Sequence, residues 1–207
     1  AAKFRMEILS PTQRILLKAT SESRLPQTVY FTGGTLLSHY YLQHRKSLDL
    51  DFFALELPDD IIIAAEVKSI ADMAHAKVIR PARFPSRWQY FFDFGKEEIK
   101  FDVVYFPFPS LGKQIILPEF NLKADSLKDI AVNKTHACYE RDAPRDTFDL
   151  YTIMKKTGWK LPSLLKDVEK KFGTIIDLVH LTARLLSAID RLNELKPLFI
   201  GRPPVAQ

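Results

Sequence analysis

Gly33-Gly34-Thr35 and Asp49-Leu50-Asp51-Phe52-Phe53, with fourteen residues between Gly34 and Asp49, decide how this chain is read. Val29-Tyr30-Phe31 is apolar, aromatic and β-branched, so it predicts a strand, which the glycine pair ends in a turn that residues with a Cβ would resist. Thr35 to Leu42 then predicts a helix whose first turn offers free N–H groups and the positive end of the helix dipole, a setting that suits a triphosphate. After His44-Arg45-Lys46-Ser47, the run Leu48 to Leu55 predicts a second strand. Side chains alternate along a strand, so Asp49 and Asp51 share one face and Leu48, Leu50 and Phe52 the other. Two carboxylates about 7 Å apart can grip Mg²⁺, a hard cation that prefers oxygen ligands and keeps positions open for substrate phosphates. Asp102, alone in the apolar stretch Ile99 to Phe106, needs a partner such as a cation if buried, and would complete the set.

An Asp-x-Asp taken by itself equally fits the solvated face of a half-exposed sheet. The conjunction of a Gly-Gly turn, Asp-x-Asp and an isolated Asp in a later apolar strand resembles the polymerase-beta-like nucleotidyltransferase superfamily. More narrowly, Phe31 to Thr35 with His44 to Phe53 resembles the AbiEii family, the nucleotidyltransferase toxins of bacterial abortive-infection type IV toxin–antitoxin systems. Asp129 to Ala137, Arg141, and Arg145-Asp146-Thr147-Phe148-Asp149 look like that family's later motifs, so the resemblance runs from residue 31 to 151. The glycine pair departs from the Gly-Ser of many superfamily members, which leaves phosphate contact to the N–H groups of Gly33 and Gly34 and to Thr35 or Ser47.

The resemblance implies roles. Asp49, Asp51 and Asp102 are the expected metal and catalytic carboxylates, with Asp102 as third ligand or as base near the acceptor hydroxyl. Lys134 is the expected cation on the β- and γ-phosphates, and Asp149 is preferred over Asp146 as a site residue. Gly33, Gly34, Thr35, Arg45, Ser47 and Arg145 are the expected nucleotide contacts, although Arg45 could instead anchor its loop to a carboxylate. The implied cofactor is Mg²⁺, with Mn²⁺ able to stand in, and the implied substrate is an NTP. The implied acceptor is tRNA at its 3′ end, and the implied partner is a separately encoded antitoxin with a winged-helix part. Two other readings keep some of these residues: transfer to a protein hydroxyl, as in AMPylating enzymes, and a nucleotide-binding module without turnover.

Other chemistries find little support. The five histidines show no zinc spacing, no serine-hydrolase elbow occurs, and the single cysteine, Cys138, reads as a small core residue. No apolar run approaches the ~20 residues of a membrane span, and Ala1 to Arg5 lacks a signal-peptide core, so a cytoplasmic globular enzyme without a membrane partner is expected. The 207 residues suffice for one domain or two intimate lobes.

The expected fold is α+β. Residues 1–120 would form a catalytic core with a mixed sheet and flanking helices. Residues 121–207 would form a helical lobe carrying Lys134 and the Arg145 to Asp149 motif. Pro11 to Lys18 predicts an amphipathic helix, and Val78 to Phe84, Trp88 to Phe94 and Glu98 to Phe106 predict strands, with a hairpin turn at Asp93 to Lys96. Ile61-Ile62-Ile63 predicts part of a buried helix. Helical periodicity follows over 126–140, 146–157, 162–172 and 174–194, and Gly201 to Gln207 reads as a frayed tail. Residues 1–150 carry twenty Lys and Arg against twenty Asp and Glu, whereas residues 151–207 carry ten against five. That asymmetry points to a polyanion near the C-terminal lobe, or to lysines that only solvate helix faces.

Overall fold

The computed structural model of the protein describes residues 8–200. The expected tail at 201–207 and the first five residues lie outside them. A helix α1 (Pro11–Glu22) opens on a full capping box, in which Ser10 and Gln13 each satisfy the other's backbone N–H, with Pro11 in the first turn. It runs one turn beyond Lys18.

Strand β1 (Val29–Thr32) is buried along its length, as a central strand must be. It leads directly into α2 (Gly33–Leu36), which widens into a π-helical turn over Leu37–Leu42 and stops at Gln43 in a left-handed conformation. Strand β2 (Leu50–Ala54) starts later than Leu48, so Asp49 precedes it. Helix α3 (Asp60–Ala74) is capped by Asp59. Strands β3 (Lys77–Phe84), β4 (Arg87–Asp93) and β5 (Glu98–Tyr105) follow as antiparallel neighbours. Two short strands not foreseen from the sequence, β6 (Ile115–Leu117) and β7 (Leu122–Ala124), form a hairpin, and the expected division at residue 120 falls in its turn. Helices α4 (Leu127–Glu140), α5 (Pro144–Thr157), α6 (Leu161–Phe172) and α7 (Leu178–Asp190) complete the chain, with a 3₁₀ segment over Leu192–Leu198.

The seven strands form one sheet in the order β3-β4-β5-β2-β1-β7-β6. Its pairings are antiparallel except β2 with β5 and β1 with β7, so the sheet is mixed as expected. Strict alternation separates two faces. Leu50, Phe52, Phe101, Val103, Trp88, Tyr90 and Phe92 are buried on one, in a core with Ile63, Val67 and Ile70 of α3 and Leu16 and Leu17 of α1. Asp51, Asp102 and Gln89 line up directly across the other. The isoleucine run departs from expectation: Ile63 is buried, whereas Ile61 and Ile62, in the first turn of α3, are 80% and 60% exposed, because only one face of the helix packs on the core.

The helices are tied to one another through charge and to the connection after β5 through hydrogen bonds. The Asp129 carboxylate on α4 is fully buried and accepts from Ser126 Oγ, from the N–H groups of Leu111 and Gly112, and from Lys171 Nζ of α6 at 2.7 Å. A Cβ at Gly112 would lie 2.9 Å from Ser126 Cβ, so only glycine lets the connection after β5 approach this cap so closely. Lys171→Met would leave Asp129 with its neutral donors but no countercharge. Breaking a buried pair from one side costs about 3–5 kcal/mol, and with the three remaining donors the low end, about 3 kcal/mol, is expected. Urea unfolding tests it: the midpoint should fall with the slope unchanged, and a loss below about 1 kcal/mol would count against this pairing as a tie.

Candidate active site

The turn after β1 is built on glycine for two reasons. Gly33 has φ +77°, and a Cβ there would lie 2.8 Å from Asp51 Cγ, inside the carboxylate's own space. A Cβ at Gly34 would sit 2.8 Å from both Arg45 Nη2 and Ser47 Oγ. The close approach brings backbone, guanidinium, hydroxyl and carboxylate together at one end of the sheet. Thr35 does not join them: its side chain is buried and its hydroxyl donates to the Asp49 carbonyl, so it pins the strand entry and presents nothing to a ligand.

Asp51 on β2 is directly opposite Thr32 of β1 on one side and Asp102 of β5 on the other. Asp49 lies two residues before Asp51. Lys100, missed in the sequence although it shares Asp102's face two residues earlier, binds Asp102 Oδ2 at 2.6 Å and lies 3.7 Å from Asp49 Oδ2. Burial, then the neighbouring Asp49 and Asp102, push the Asp51 carboxyl up to about 6, against the pull of Lys100 and Lys134. Asp102 Oδ1 is buried without a hydrogen-bond partner. Among the described residues no three such side chains converge as an assembled metal centre. The donor set still fits a hard divalent cation: three carboxylates face one ammonium, and one buried oxygen lacks a partner.

The opposing wall is cationic. Lys134 of α4 lies between two carboxylates of α5, 2.6 Å from Asp146 and 2.7 Å from Asp149. Arg45 grips Asp149 with two parallel bonds of 2.7 Å, and the His44 ring donates to the same carboxylate. Arg141 holds the other oxygen of Asp146. Burial alone would raise the Asp149 carboxyl, yet Lys134 and Arg45 hold it well below the usual range. Burial keeps His44 neutral despite the pull of Asp149. Three cations against two anions leave this wall one positive charge in excess. Asp149 therefore orients Arg45 and Lys134 and does not itself line the opening, and Asp146 orients Lys134 and Arg141 beside it. Arg45 is anchored to a carboxylate, one of its two expected roles, and also lines the cleft.

The two walls enclose a cleft of about 370 Å³. Gly33, Gly34, Ser47, Asp49, Asp51 and Asp102 line it on the sheet side, and Asn133, Lys134, Arg141 and Arg145 on the helical side. Asp93 accepts from the Gly95 N–H in the expected hairpin turn and does not line this opening.

Comparison with known proteins gives this geometry a family. A family model described as "Nucleotidyl transferase AbiEii toxin, Type IV TA system" matches residues 14–199. The chain belongs to the AbiEii family of nucleotidyltransferase toxins. An uncharacterized protein of Aquifex aeolicus is 30% identical over 176 residues, which span 82% of this chain and 79% of that one. The crystal structure of JHP933 from Helicobacter pylori matches over 90% of this chain and 91% of its own, with TM-score 0.54 at 20% identity. A second Helicobacter pylori structure covers 91% and 99%, with TM-score 0.55 at 20% identity. At that identity the structural likeness speaks for the fold, and the AbiEii match carries the nucleotidyltransferase activity.

Both Asp146 and Asp149 bind protons less readily folded than unfolded. Their stabilisation is therefore complete above the ordinary carboxylate range and is lost as pH falls through the depressed folded values. Their share of the unfolding free energy should hold down to about pH 5 and fall steeply below about pH 4, while the raised Asp51 carboxyl acts in the opposite sense between about pH 6 and 4. In Asp149→Asn, less stable at neutral pH, that acid slope should be shallower; an unchanged slope in pH-resolved urea melts would speak against the depressed carboxyl. Gly33→Ala should displace Asp51, cutting transfer by about 100-fold or more; near-normal turnover would show that the approach to Asp51 is dispensable.

Proposed function

We propose that the cleft transfers a nucleoside monophosphate from an NTP to a hydroxyl at the 3′ end of tRNA, and that the toxin acts in this way. The observation that carries the reading is the alignment of Asp51 and Asp102 across adjacent strands, with Asp49 beside them, facing a cationic wall over a glycine turn. Mg²⁺ or Mn²⁺ held by Asp49, Asp51 and Asp102 would supply charge stabilisation for the attacking and leaving oxygens.

The chain's own residues do the rest. The N–H groups at Gly33 and Gly34 and the Ser47 hydroxyl face the triphosphate, because no Cβ intervenes. Lys134 and Arg145 oppose the negative charge of the departing β- and γ-phosphates; Lys134 does so already oriented by Asp146 and Asp149. The acceptor oxygen bonds to the α-phosphorus while the bond to the β-phosphate bridge breaks. The hydroxyl proton passes to the Asp102 carboxylate, and pyrophosphate leaves. The surroundings this reading requires, a cytoplasmic pool of NTP and tRNA and a separately encoded winged-helix antitoxin, belong to the same proposal.

The test is incubation with each labelled NTP, Mg²⁺ and total tRNA, followed by sequencing of RNA 3′ ends. Label should enter RNA, fall by about 1,000-fold in Asp49→Ala and Asp51→Ala, and leave pyrophosphate in equal amount. Incorporation that survives both substitutions would remove the assigned carboxylates, and label found on polypeptide instead would move the acceptor to a protein hydroxyl.

A further inference from the structure

The sheet face that carries Asp51 and Asp102 does not end at the cleft. Gln89 stands directly opposite Asp102, so Arg87, Gln89 and Phe91 of β4 share that face, while Trp88, Tyr90 and Phe92 turn to the core. Phe84 of β3 pairs with Arg87 across the tight Pro85-Ser86 turn, and the Arg87 guanidinium stacks on the Phe84 ring, 4.4 Å from its centroid. Further along, β3 bulges between Ile79 and Ala82. Arg80 adopts φ 46° in that bulge, and its guanidinium stacks on Phe91, again 4.4 Å from the centroid. A bulge re-aims a side chain; here it gives the same face a second arginine–aromatic pair.

This outer part of the sheet face stays open. Arg80 and Phe84 are exposed, the latter at 41%. Arg87 lines the cleft, so the face continues into it. The ion pair of Arg80 with Glu98 joins two half-exposed side chains, and such pairs are weak enough to exchange for a phosphate. Residues 80–87 carry Arg80, Arg83 and Arg87 and no acid, and Arg87 reaches the cleft.

We propose that the open face of the β3–β4 hairpin, with Phe84, Phe91, Arg80 and Arg87, is the platform on which a single-stranded polynucleotide acceptor lies as its end enters the cleft. It rests on the nucleotidyl-transfer reading above and adds where the acceptor is held. Unpaired bases stack on aromatic rings and on guanidinium planes, and the two stations, about 13 Å apart along β4, offer both. Their positive charge meets the phosphates.

Fluorescence anisotropy with a labelled, unstructured oligoribonucleotide of about twelve nucleotides tests the platform, with NTP binding measured by calorimetry on the same samples. Phe84→Ala should weaken oligonucleotide binding about tenfold, Phe84→Tyr should restore it, and Arg80→Ala should flatten the salt dependence by about 0.7 in slope. NTP affinity should not change in any of the three, which separates a lost platform from a misfolded chain. Oligonucleotide affinity indifferent to all three substitutions would overturn the platform. So would label transferred to polypeptide equally well by wild type and Phe84→Ala. Platform-dependent binding with no nucleotide transfer would instead remove the reading of the cleft and leave the platform standing.

Discussion

The structure depends on one buried ionic junction. Arg45 comes from the loop before β2, Asp149 and Asp146 from α5, and Lys134 from α4, so three segments far apart in sequence meet in one network. Burying such charges costs several kcal/mol per ion, which only close, multiply bonded geometry offsets. The bidentate Arg45–Asp149 contact and the double engagement of Lys134 provide it. Net stability is the lesser consequence. An Arg45 side chain fixed at both ends of its fork sets how near Gly34 can come, and so where the glycine turn stands relative to the carboxylates on β2.

That junction also explains why the site has two electrostatic halves. On the sheet, Lys100 pairs with Asp102 and lies near Asp49, and burial, then repulsion from Asp49 and Asp102, keeps the Asp51 carboxyl raised. On the opposing wall, Lys134, Arg45 and Arg141 outnumber Asp146 and Asp149. A substrate carrying phosphate together with a divalent cation suits both halves at once, and neither component alone does.

Strand alternation made much of this legible. Asp49 and Asp51 on one face, Asp102 on a neighbouring apolar strand, and helices broken near Pro144, Gly158 and Gly173 all followed from period and turn chemistry. Lys100 was legible in principle by the same alternation. Other features were not. β6 and β7 are three residues each, too short for any period, and are defined by pairing alone, β7 with β1 and β6 with β7. The fate of Thr35 depended on a carbonyl fourteen residues away. The exposure of Ile61 and Ile62 depended on which face of α3 packs on the core. Lys134 and Asp149 were found as residues, but their engagement with each other is a tertiary fact that spacing cannot encode.

Net charge by segment misleads for a related reason. The C-terminal excess suggested a polyanion near the last helices, yet Lys171 is buried on Asp129 and Lys156 donates to the Tyr41 carbonyl, so part of that charge is used inside the fold. The first 150 residues balance in sum while separating charge in space. Their acids gather in the cleft, in the junction and at the β4–β5 turn, and Arg80 and Arg87 stand over aromatic rings on an open strand face. A polyanion responds to the local field within a Debye length of about 10 Å, not to a segment's total. The β3–β4 hairpin, with Lys77, Arg80, Arg83 and Arg87 against Asp93 inside a segment that balances in sum, is therefore the better place to look for one.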